Sequence, residues 1–184
     1  MNILLFGISN VGKTTTGRLL AGKLGYKFYD MDEEVKSCLH ITLEEFVNTV
    51  WPYERDKIRG KILENLVPRP ENKVIAVTPM YYSRWFHKYL QRDDVLAVEL
   101  QDAPEHIFSR LVFSDENDQV YKEDKYREAH ASHYLGEIKK DITYYRKAFS
   151  KITNKLNIDG DSPEKVVERL MKQFNLQPYS LSGK

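Results

Sequence analysis

The chain has 184 residues, which is enough for one domain with its own hydrophobic core. Its 28 basic and 27 acidic residues give a formal net charge of +1, and this balance excludes a dedicated nucleic-acid binder, whose phosphate contacts need a basic excess. The single cysteine excludes an internal disulfide, and the longest apolar run near the N-terminus, at residues 3–8, is too short for a membrane span.

These features predict a cytoplasmic protein that binds neither nucleic acid nor membrane, and we expect it to be a monomer. The pattern of apolar segments indicates one domain over residues 1–177. The polar segment PYSLSGK follows at residues 178–184, and we expect it to be a frayed tail.

Short apolar runs alternate with helical segments along the chain. Runs typical of buried strands lie at residues 2–6, 27–30, 73–77, 94–100 and 156–159. Helices are predicted between and after them at residues 12–24, 42–66 with a break at Pro52, 81–90, 103–111 and 162–174. Five strands, each followed by helix, predict an α/β fold, a three-layer sandwich with a five-stranded parallel sheet.

One stretch departs from this alternation. Residues 114–132 are polar and charged with few aliphatic side chains, so they cannot bury much apolar surface. We interpret them as part of a lid insertion over about residues 112–136, either mobile or partly disordered.

A phosphate-binding motif connects the first predicted strand to the first helix. Residues 7–14, GISNVGKT, match the pattern G-x-x-x-x-G-K-[ST] in the strand–helix context that the motif requires. The glycines let backbone N–H groups converge on a phosphate, the lysine neutralises phosphate oxygens, and the threonine hydroxyl is a hard ligand for Mg²⁺. The candidate nucleotide-binding residues are Gly7, Asn10, Val11, Gly12, Lys13, Thr14 and Thr15.

Two carboxylates, Asp30 and Asp32, end the second predicted strand. Ligands of an open parallel sheet bind beyond the carboxyl ends of its strands, so an acid here can hold Mg²⁺ or accept a proton from an attacking hydroxyl. The alternative is structural, because acidic residues also stabilise the first turn of a helix.

The segments GISNVGKTTTGRLLAGKLGYKFYDMDEEV at residues 7–35 and ITLEEFVNTVWPYER at residues 41–55 resemble the shikimate kinase family of P-loop proteins. The resemblance implies the P-loop NTPase fold, and ATP- and Mg²⁺-dependent transfer of a phosphoryl group to shikimate. It implies that Lys13 and Thr14 serve ATP and Mg²⁺, and that Asp30 holds the metal through water. Asp32 would bind and deprotonate the acceptor, and Arg55 would bind the acceptor's carboxylate as a bidentate partner.

The middle of the chain departs from the family after the third predicted strand. The family has a run of glycines there whose backbone surrounds the acceptor, whereas this chain has Thr78, Pro79 and Met80 followed by two tyrosines. Either the acceptor differs, or side chains such as Thr78 and Tyr81 rebuild its pocket. The aromatic residues could equally be core packing.

Three arginines are candidates for contacts with the nucleotide and the transferring phosphoryl group. Arg110 resembles the family's arginine over the adenine ring. The family's lid arginine has no direct counterpart, and Arg127 or Arg146 could replace it; each could equally be a solvated surface charge.

The function we expect is therefore phosphoryl transfer from ATP to a hydroxyl of a small molecule, with Lys13, Asp32 and a lid arginine as catalytic residues. Two other functions stay open. One is a kinase of the same fold that acts on a nucleotide, a sugar acid or another polyol. The other is a nucleotide-binding protein without transfer activity.

Overall fold

Five parallel strands form the central sheet of the computed structural model, which describes residues 1–115 and 117–179. The strands lie in the order β2-β3-β1-β4-β7, and β5 and β6 form a separate antiparallel pair. Their bounds are β1 (Asn2–Phe6), β2 (Lys27–Asp30), β3 (Lys73–Ala76), β4 (Val95–Gln101), β5 (Phe113–Ser114), β6 (Val120–Tyr121) and β7 (Asn154–Asn157). The predicted five-stranded parallel sheet is confirmed.

Helices cover both faces of this sheet. Consecutive residues of a strand point to opposite faces, and Ile3 to Phe6 of β1 are all at most 1% exposed. The helices are α1 (Lys13–Leu24), α2 (Met31–Leu39), α3 (Leu43–Thr49), α4 (Pro52–Leu66), α5 (Pro104–Ser109), α6 (Asp124–Ala129), α7 (Ala131–Phe149) and α8 (Pro163–Gln173). Helix α1 packs against α8, and α5 packs against α7. The fold is the predicted α/β sandwich.

The segment after β3 differs from its prediction. Residues 81–90 were expected to form one helix, but they form two 3₁₀ turns, Ser83–Trp85 and His87–Tyr89. The buried rings of Phe86 and Tyr89 are three residues apart, which matches the period of a 3₁₀ turn, and Phe86 packs at 5.0 Å from Phe6. Packing of these two rings into the core therefore overrides the local helical pattern.

Three helices, α2, α6 and α7, were not predicted as such. Helix α2 follows β2 without a loop because the side chain of Asp30 caps it by accepting a hydrogen bond from the Asp32 amide. Helix α7 has 19 residues, of which Ile138, Ala148 and Phe149 are buried. The polar residues around these few core positions hide its helical period in the sequence.

The predicted insertion over residues 112–136 contains the β5–β6 hairpin, α6 and the first turns of α7. Its boundaries, and the single domain over residues 1–177, stay predictions. Of the expected frayed tail, residues 180–184 lie outside the described residues, whereas the amide of Tyr179 donates a hydrogen bond to the carbonyl of Lys23. None of the helices in the described ranges is long and apolar enough to cross a membrane.

Two glycines of α1 provide a matched test of how this helix packs. A Cβ atom on Gly17 would lie 2.8 Å from Cε2 of Phe28 in β2, whereas a Cβ on Gly22 would meet nothing within 4 Å. Gly17→Ala should lower the free energy of unfolding by about 1–2 kcal/mol, since overpacking outweighs the gain in helix propensity. Gly22→Ala should raise it by about 0.5–1 kcal/mol.

Urea unfolding of both variants measures this difference. Equal effects of the same sign would show that α1 does not pack against Phe28 in the way described.

Candidate active site

The loop between β1 and α1 is tightly curled, so that its backbone forms a concave surface. Gly7 has φ +140° and its Cβ would lie 2.5 Å from the carbonyl oxygen of Leu100, so only glycine fits there. Gly12, at φ +109°, completes the turn into α1. The backbone can therefore turn its N–H groups toward an anion at the start of a helix.

Lys13 reaches back across this loop. Its Nζ atom donates hydrogen bonds to the carbonyl oxygens of Gly7 at 3.0 Å and Ile8 at 2.8 Å. Removal of water around the ammonium group lowers the pKa of Lys13 to about 8, although the charges of Asp32 and Asp30 act in the opposite direction. The ammonium group is thus held over the loop and is easier to deprotonate than an ordinary lysine.

Asp30 and Thr14 bring two hard oxygen ligands together next to the loop. The hydroxyl of Thr14 donates to Oδ2 of Asp30 at 2.6 Å, and Oδ1 of Asp30 accepts from the amide of Asp32 at 3.0 Å. Asp30 therefore caps α2 and contacts the phosphate loop at once, so its structural and functional interpretations are compatible. These two oxygens suit Mg²⁺, which usually takes one or two protein ligands and keeps several waters.

Asp32 lies at the start of α2, opposite β3. Its Oδ1 atom accepts a hydrogen bond from the hydroxyl of Thr78 at 2.7 Å. Burial raises the pKa of Asp32, and the hydrogen bond from Thr78 and the charge of Arg59 oppose this rise only in part. A carboxylate with a raised pKa is a better proton acceptor than an ordinary aspartate.

These groups line one cavity of about 540 Å³ at the carboxyl ends of the strands. The predicted site residues that line it are Asn10, Gly12, Lys13, Thr14, Thr15, Asp30, Asp32, Thr78 and Arg110. Phosphate-binding, metal-binding and proton-accepting candidates from the β1–α1 loop, α1, β2 and α2 thus share one space.

Val11 and Gly7 do not line this cavity. Val11 is 1% exposed, and its side chain lines a second cavity of about 450 Å³ beside Ile142 and Phe149 of α7. Val11 and Gly7 can therefore contribute only backbone to a ligand in the first cavity.

Arg110 is held in place by a buried acid that the sequence analysis did not single out. The side chain of Asp102 is fully buried and accepts hydrogen bonds from Nη2 of Arg110 at 2.6 Å and from Nδ1 of His106 at 2.8 Å. Burial alone would raise the pKa of Asp102, but these hydrogen bonds outweigh it and lower the pKa. Asp102 directly follows the carboxyl end of β4, where ligands of a parallel sheet bind. This position could have identified Asp102 from the sequence.

The other predicted residues do not line the first cavity. Arg127 forms ion pairs with Asp124 and Glu128 of its own segment, each at 3.0 Å. Arg146 lies on the exposed side of α7. The ring of Tyr81 packs against that of Tyr144, with centroids 4.6 Å apart.

Helix α4 carries three charged residues, Arg55, Asp56 and Arg59, and the charge of Arg59 acts on Asp32. Arg55 is partly buried, and its charge acts on Asp56 and on Tyr144 of α7. Asp56 and Arg59 are buried, and the sequence analysis did not single them out. The signal was present, since residues 56, 59, 62, 63 and 66 all lie on the buried side of α4.

The arrangement has one side suited to phosphates and another suited to a hydroxyl group. Lys13 and the loop backbone can neutralise transferring phosphate oxygens, and Asp32 faces them with its proton-accepting carboxylate. Such positioning and charge neutralisation supply most of the rate in phosphoryl transfer.

Comparison with known proteins agrees with this geometry. A family model described as "Shikimate kinase" matches residues 9–175. The shikimate kinase of Flavobacterium psychrophilum is 26% identical over 176 residues, which cover 92% of this chain and 96% of that protein.

Solved structures are also similar. The crystal structure of shikimate kinase from Aquifex aeolicus has a TM-score of 0.68 and 25% identity, and covers 95% of this chain and 96% of its own. Shikimate kinase from Acinetobacter baumannii, solved in complex with shikimate, has a TM-score of 0.71 and 20% identity, with coverage of 95% and 92%. The second of these likenesses concerns the fold alone.

The lowered pKa of Lys13 predicts a pH dependence of ATP binding. With a pKa of about 8, the free protein loses the ammonium proton as the pH rises, and ATP then binds only after a proton is taken up. The dissociation constant should rise about eightfold from about pH 7.5 to pH 9. Calorimetric titration with ATP measures the affinity and the proton uptake together.

Lys13→Arg is the control, since a guanidinium group keeps its proton over this range and the pH dependence should disappear. A wild-type affinity that does not change with pH would contradict the assignment of Lys13 as a phosphate-binding ammonium group.

Proposed function

The chain belongs to the shikimate kinase family, and we propose that it transfers the γ-phosphoryl group of ATP to a hydroxyl group of shikimate. The family identifies it as a P-loop kinase with a small-molecule hydroxyl acceptor. The choice of shikimate rests on the family and its relatives, one of which was solved with shikimate bound.

The observation that carries the proposal is the position of Lys13 and Asp32 in one cavity. A phosphate-binding cation and a buried carboxylate oriented by Thr78 face the same space. An in-line transfer needs these two groups on either side of the transferring phosphoryl group.

Each step can be assigned to residues of this chain. The loop at residues 7–14 binds the phosphates through its backbone, and Lys13 neutralises their oxygens. Asp32 orients the acceptor hydroxyl and accepts its proton, while Thr78 holds the carboxylate in place. Arg110, whose guanidinium group forms an ion pair with Asp102, would lie over the adenine ring of ATP.

We propose that Thr14 and Asp30 hold Mg²⁺, Thr14 directly and Asp30 through water. The fit is supported by the 2.6 Å approach of their oxygens at the edge of the phosphate loop. A bound Mg²⁺ would supply positive charge that offsets the negative charge of the phosphates.

The roles of three further arginines and the oligomeric state of the protein are also proposals. Arg55 would bind the acceptor's carboxylate, and Arg127 or Arg146 would reach the phosphates only if the segment that carries it moves. We propose a monomer because one chain supplies all the candidate groups. The expected cytoplasmic location and the expected lack of nucleic-acid and membrane partners stay predictions.

A second candidate is a kinase that acts on a different hydroxyl compound. The contact between Tyr81 and Tyr144, and the bulk of Thr78, Pro79 and Met80, favour it, because the family has glycines there. Nucleotides, sugar acids and other polyols are the alternatives to test.

The direct test is release of ADP from Mg·ATP in a coupled assay. Shikimate should stimulate it saturably, and more strongly than a panel of hydroxy acids, nucleotides and sugars. Lys13→Ala should abolish most of this activity and leave the circular dichroism spectrum unchanged, since the ammonium group neutralises the charge on the transferring phosphate oxygens.

Stimulation by another member of the panel but not by shikimate would support the kinase activity and would replace shikimate as the proposed acceptor. Tight ATP binding with no stimulation by any acceptor would support a nucleotide-binding protein without transfer activity. Near wild-type turnover of Lys13→Ala would contradict the site itself.

The role of Asp32 as proton acceptor has its own test. Asp32→Asn should lower kcat by about 10²–10⁴-fold, the usual contribution of a general base, while ATP still binds. In the wild type, kcat should fall on the acidic side at a pH above the ordinary aspartate range, because the pKa of Asp32 is raised.

Thr78→Val is the matched variant, since it removes only the hydrogen bond to Oδ1. That bond favours the ionised carboxylate, so its loss should move the acidic limb of the pH profile to higher pH. A profile that is the same in Thr78→Val and wild type would show that Asp32 does not set it.

A further inference from the structure

A third cavity, of about 360 Å³, lies between the segment after β3 and the C-terminal end of α7. It shares no lining residue with the two cavities described above, so it is a separate space. Its volume is in the range of small-molecule binding sites. The side chains that give it its character are Tyr81, Tyr82, Arg84, Lys147 and Lys151.

The charged groups of the third cavity are all positive. Arg84 comes from the segment after β3, whereas Lys147 and Lys151 lie at the end of α7 and in the turn that follows it. Of the described residues, no aspartate or glutamate lines this cavity. The two lysines are four residues apart, and like charges at this helical spacing repel each other. A cation near the end of a helix is favourable by itself, but this does not account for Arg84, which belongs to another segment.

Neighbouring lysines outside the cavity have acidic partners. Lys88 pairs with Glu64 and Lys140 pairs with Glu137, each at 2.6 Å. In the part of the chain that the structure describes, the three cations of the cavity form no such pair. A concave surface with charge of one sign raises the local concentration of ions of the opposite sign. The third cavity therefore favours an anionic ligand.

Two tyrosine rings give this cavity flat apolar walls. The rings of Tyr81 and Tyr82 are nearly perpendicular, at 87°, with centroids 5.1 Å apart, and the two residues are 40% and 37% exposed. Contacts with Tyr144 and Tyr53 hold the two rings in place. Perpendicular aromatic faces can hold a planar ring, because one can stack against it and the other can meet it edge to face.

Aromatic rings also orient Arg84. Its guanidinium carbon lies 4.9 Å from the ring centroid of Tyr53, 5.3 Å from that of Trp85 and 5.4 Å from that of Tyr82. Such cation–π contacts hold a guanidinium group by its face and do not use its N–H donors. The planar fork of donors can then bind a carboxylate.

We propose that the third cavity is a binding site for an aromatic carboxylate, whose ring packs against the two tyrosines and whose charge is bound by the three cations. A compound with two carboxylates matches the excess of positive charge better than a compound with one. The inference does not depend on the proposed function, because no residue of the third cavity lines the cavity that holds Lys13 and Asp32.

Calorimetric titration with isophthalate, a planar ring with two carboxylates, tests the site. Wild type should bind isophthalate at least about tenfold more tightly than glutarate, which has two carboxylates and no ring, because only the aromatic compound can pack against both tyrosines. Isophthalamide keeps the ring without the charge, and it should also bind at least about tenfold more weakly than isophthalate.

Lys151→Glu should weaken the binding of isophthalate by about ten- to a hundredfold, since it replaces a cation of the site by an anion. Lys139→Glu is the matched control, because it makes the same change of charge at another exposed position of α7, about 18 Å away along the helix. At that distance the charge is screened, and the affinity should stay within about twofold of wild type. Both lysines are exposed, so circular dichroism should show an unchanged fold.

Arg55→Gln shows which cavity the compound occupies, since Arg55 belongs to the proposed acceptor site and should not affect the affinity for isophthalate. Four results would overturn the inference. They are no saturable binding to wild type, equal affinities for isophthalate and glutarate, equal losses in Lys151→Glu and Lys139→Glu, and a loss in Arg55→Gln without one in Lys151→Glu. The last result would mean that isophthalate binds in the first cavity.

Discussion

The candidate active site depends on the carboxylate of Asp30, which forms two hydrogen bonds in opposite directions. One oxygen accepts from the hydroxyl of Thr14 at the start of α1, and the other accepts from the amide that begins α2. Because β2 ends at Asp30, this residue connects the carboxyl end of the strand to the phosphate loop and to the helix that carries Asp32. The candidate phosphate-binding and proton-accepting groups are therefore connected through a short side chain with two hydrogen bonds, and such preorganisation favours phosphoryl transfer.

Much of the fold could be predicted from the sequence because its central strands, β1 and β3, are buried on both faces. A run such as that at residues 2–6 has no polar alternation, and only a parallel sheet covered by helices accommodates it. The prediction was wrong where packing overrides local pattern. Phe86 and Tyr89 pack inward at a spacing of three, so residues 81–90 form 3₁₀ turns instead of a helix. Helix α7 was missed because its few core residues are separated by polar ones.

The residues of the site also divide into those that the sequence predicts and those that it does not. The phosphate loop and the pair of aspartates follow each other closely in sequence, and their chemistry depends on spacing that is visible there. The surroundings of Asp102 and Arg59 depend in part on distant residues: Asp102 accepts a hydrogen bond from Gly160 besides those from His106 and Arg110, and Arg59 contacts the backbone at Pro79. Their buried positions after β4 and in α4 could be predicted from the sequence, but contacts with segments 20 or more residues away could not. Such pairings are set by topology, which a local pattern does not contain.

The departure from the family after β3 has a physical consequence for the acceptor. Where glycines would bring backbone N–H groups to the acceptor, Pro79 has no N–H to offer. We therefore expect recognition of the acceptor to depend on side chains, and those singled out near this position are Asp32, Thr78 and the partly buried Arg55. A pocket of this kind would select by charge and fork geometry more than by close backbone fit.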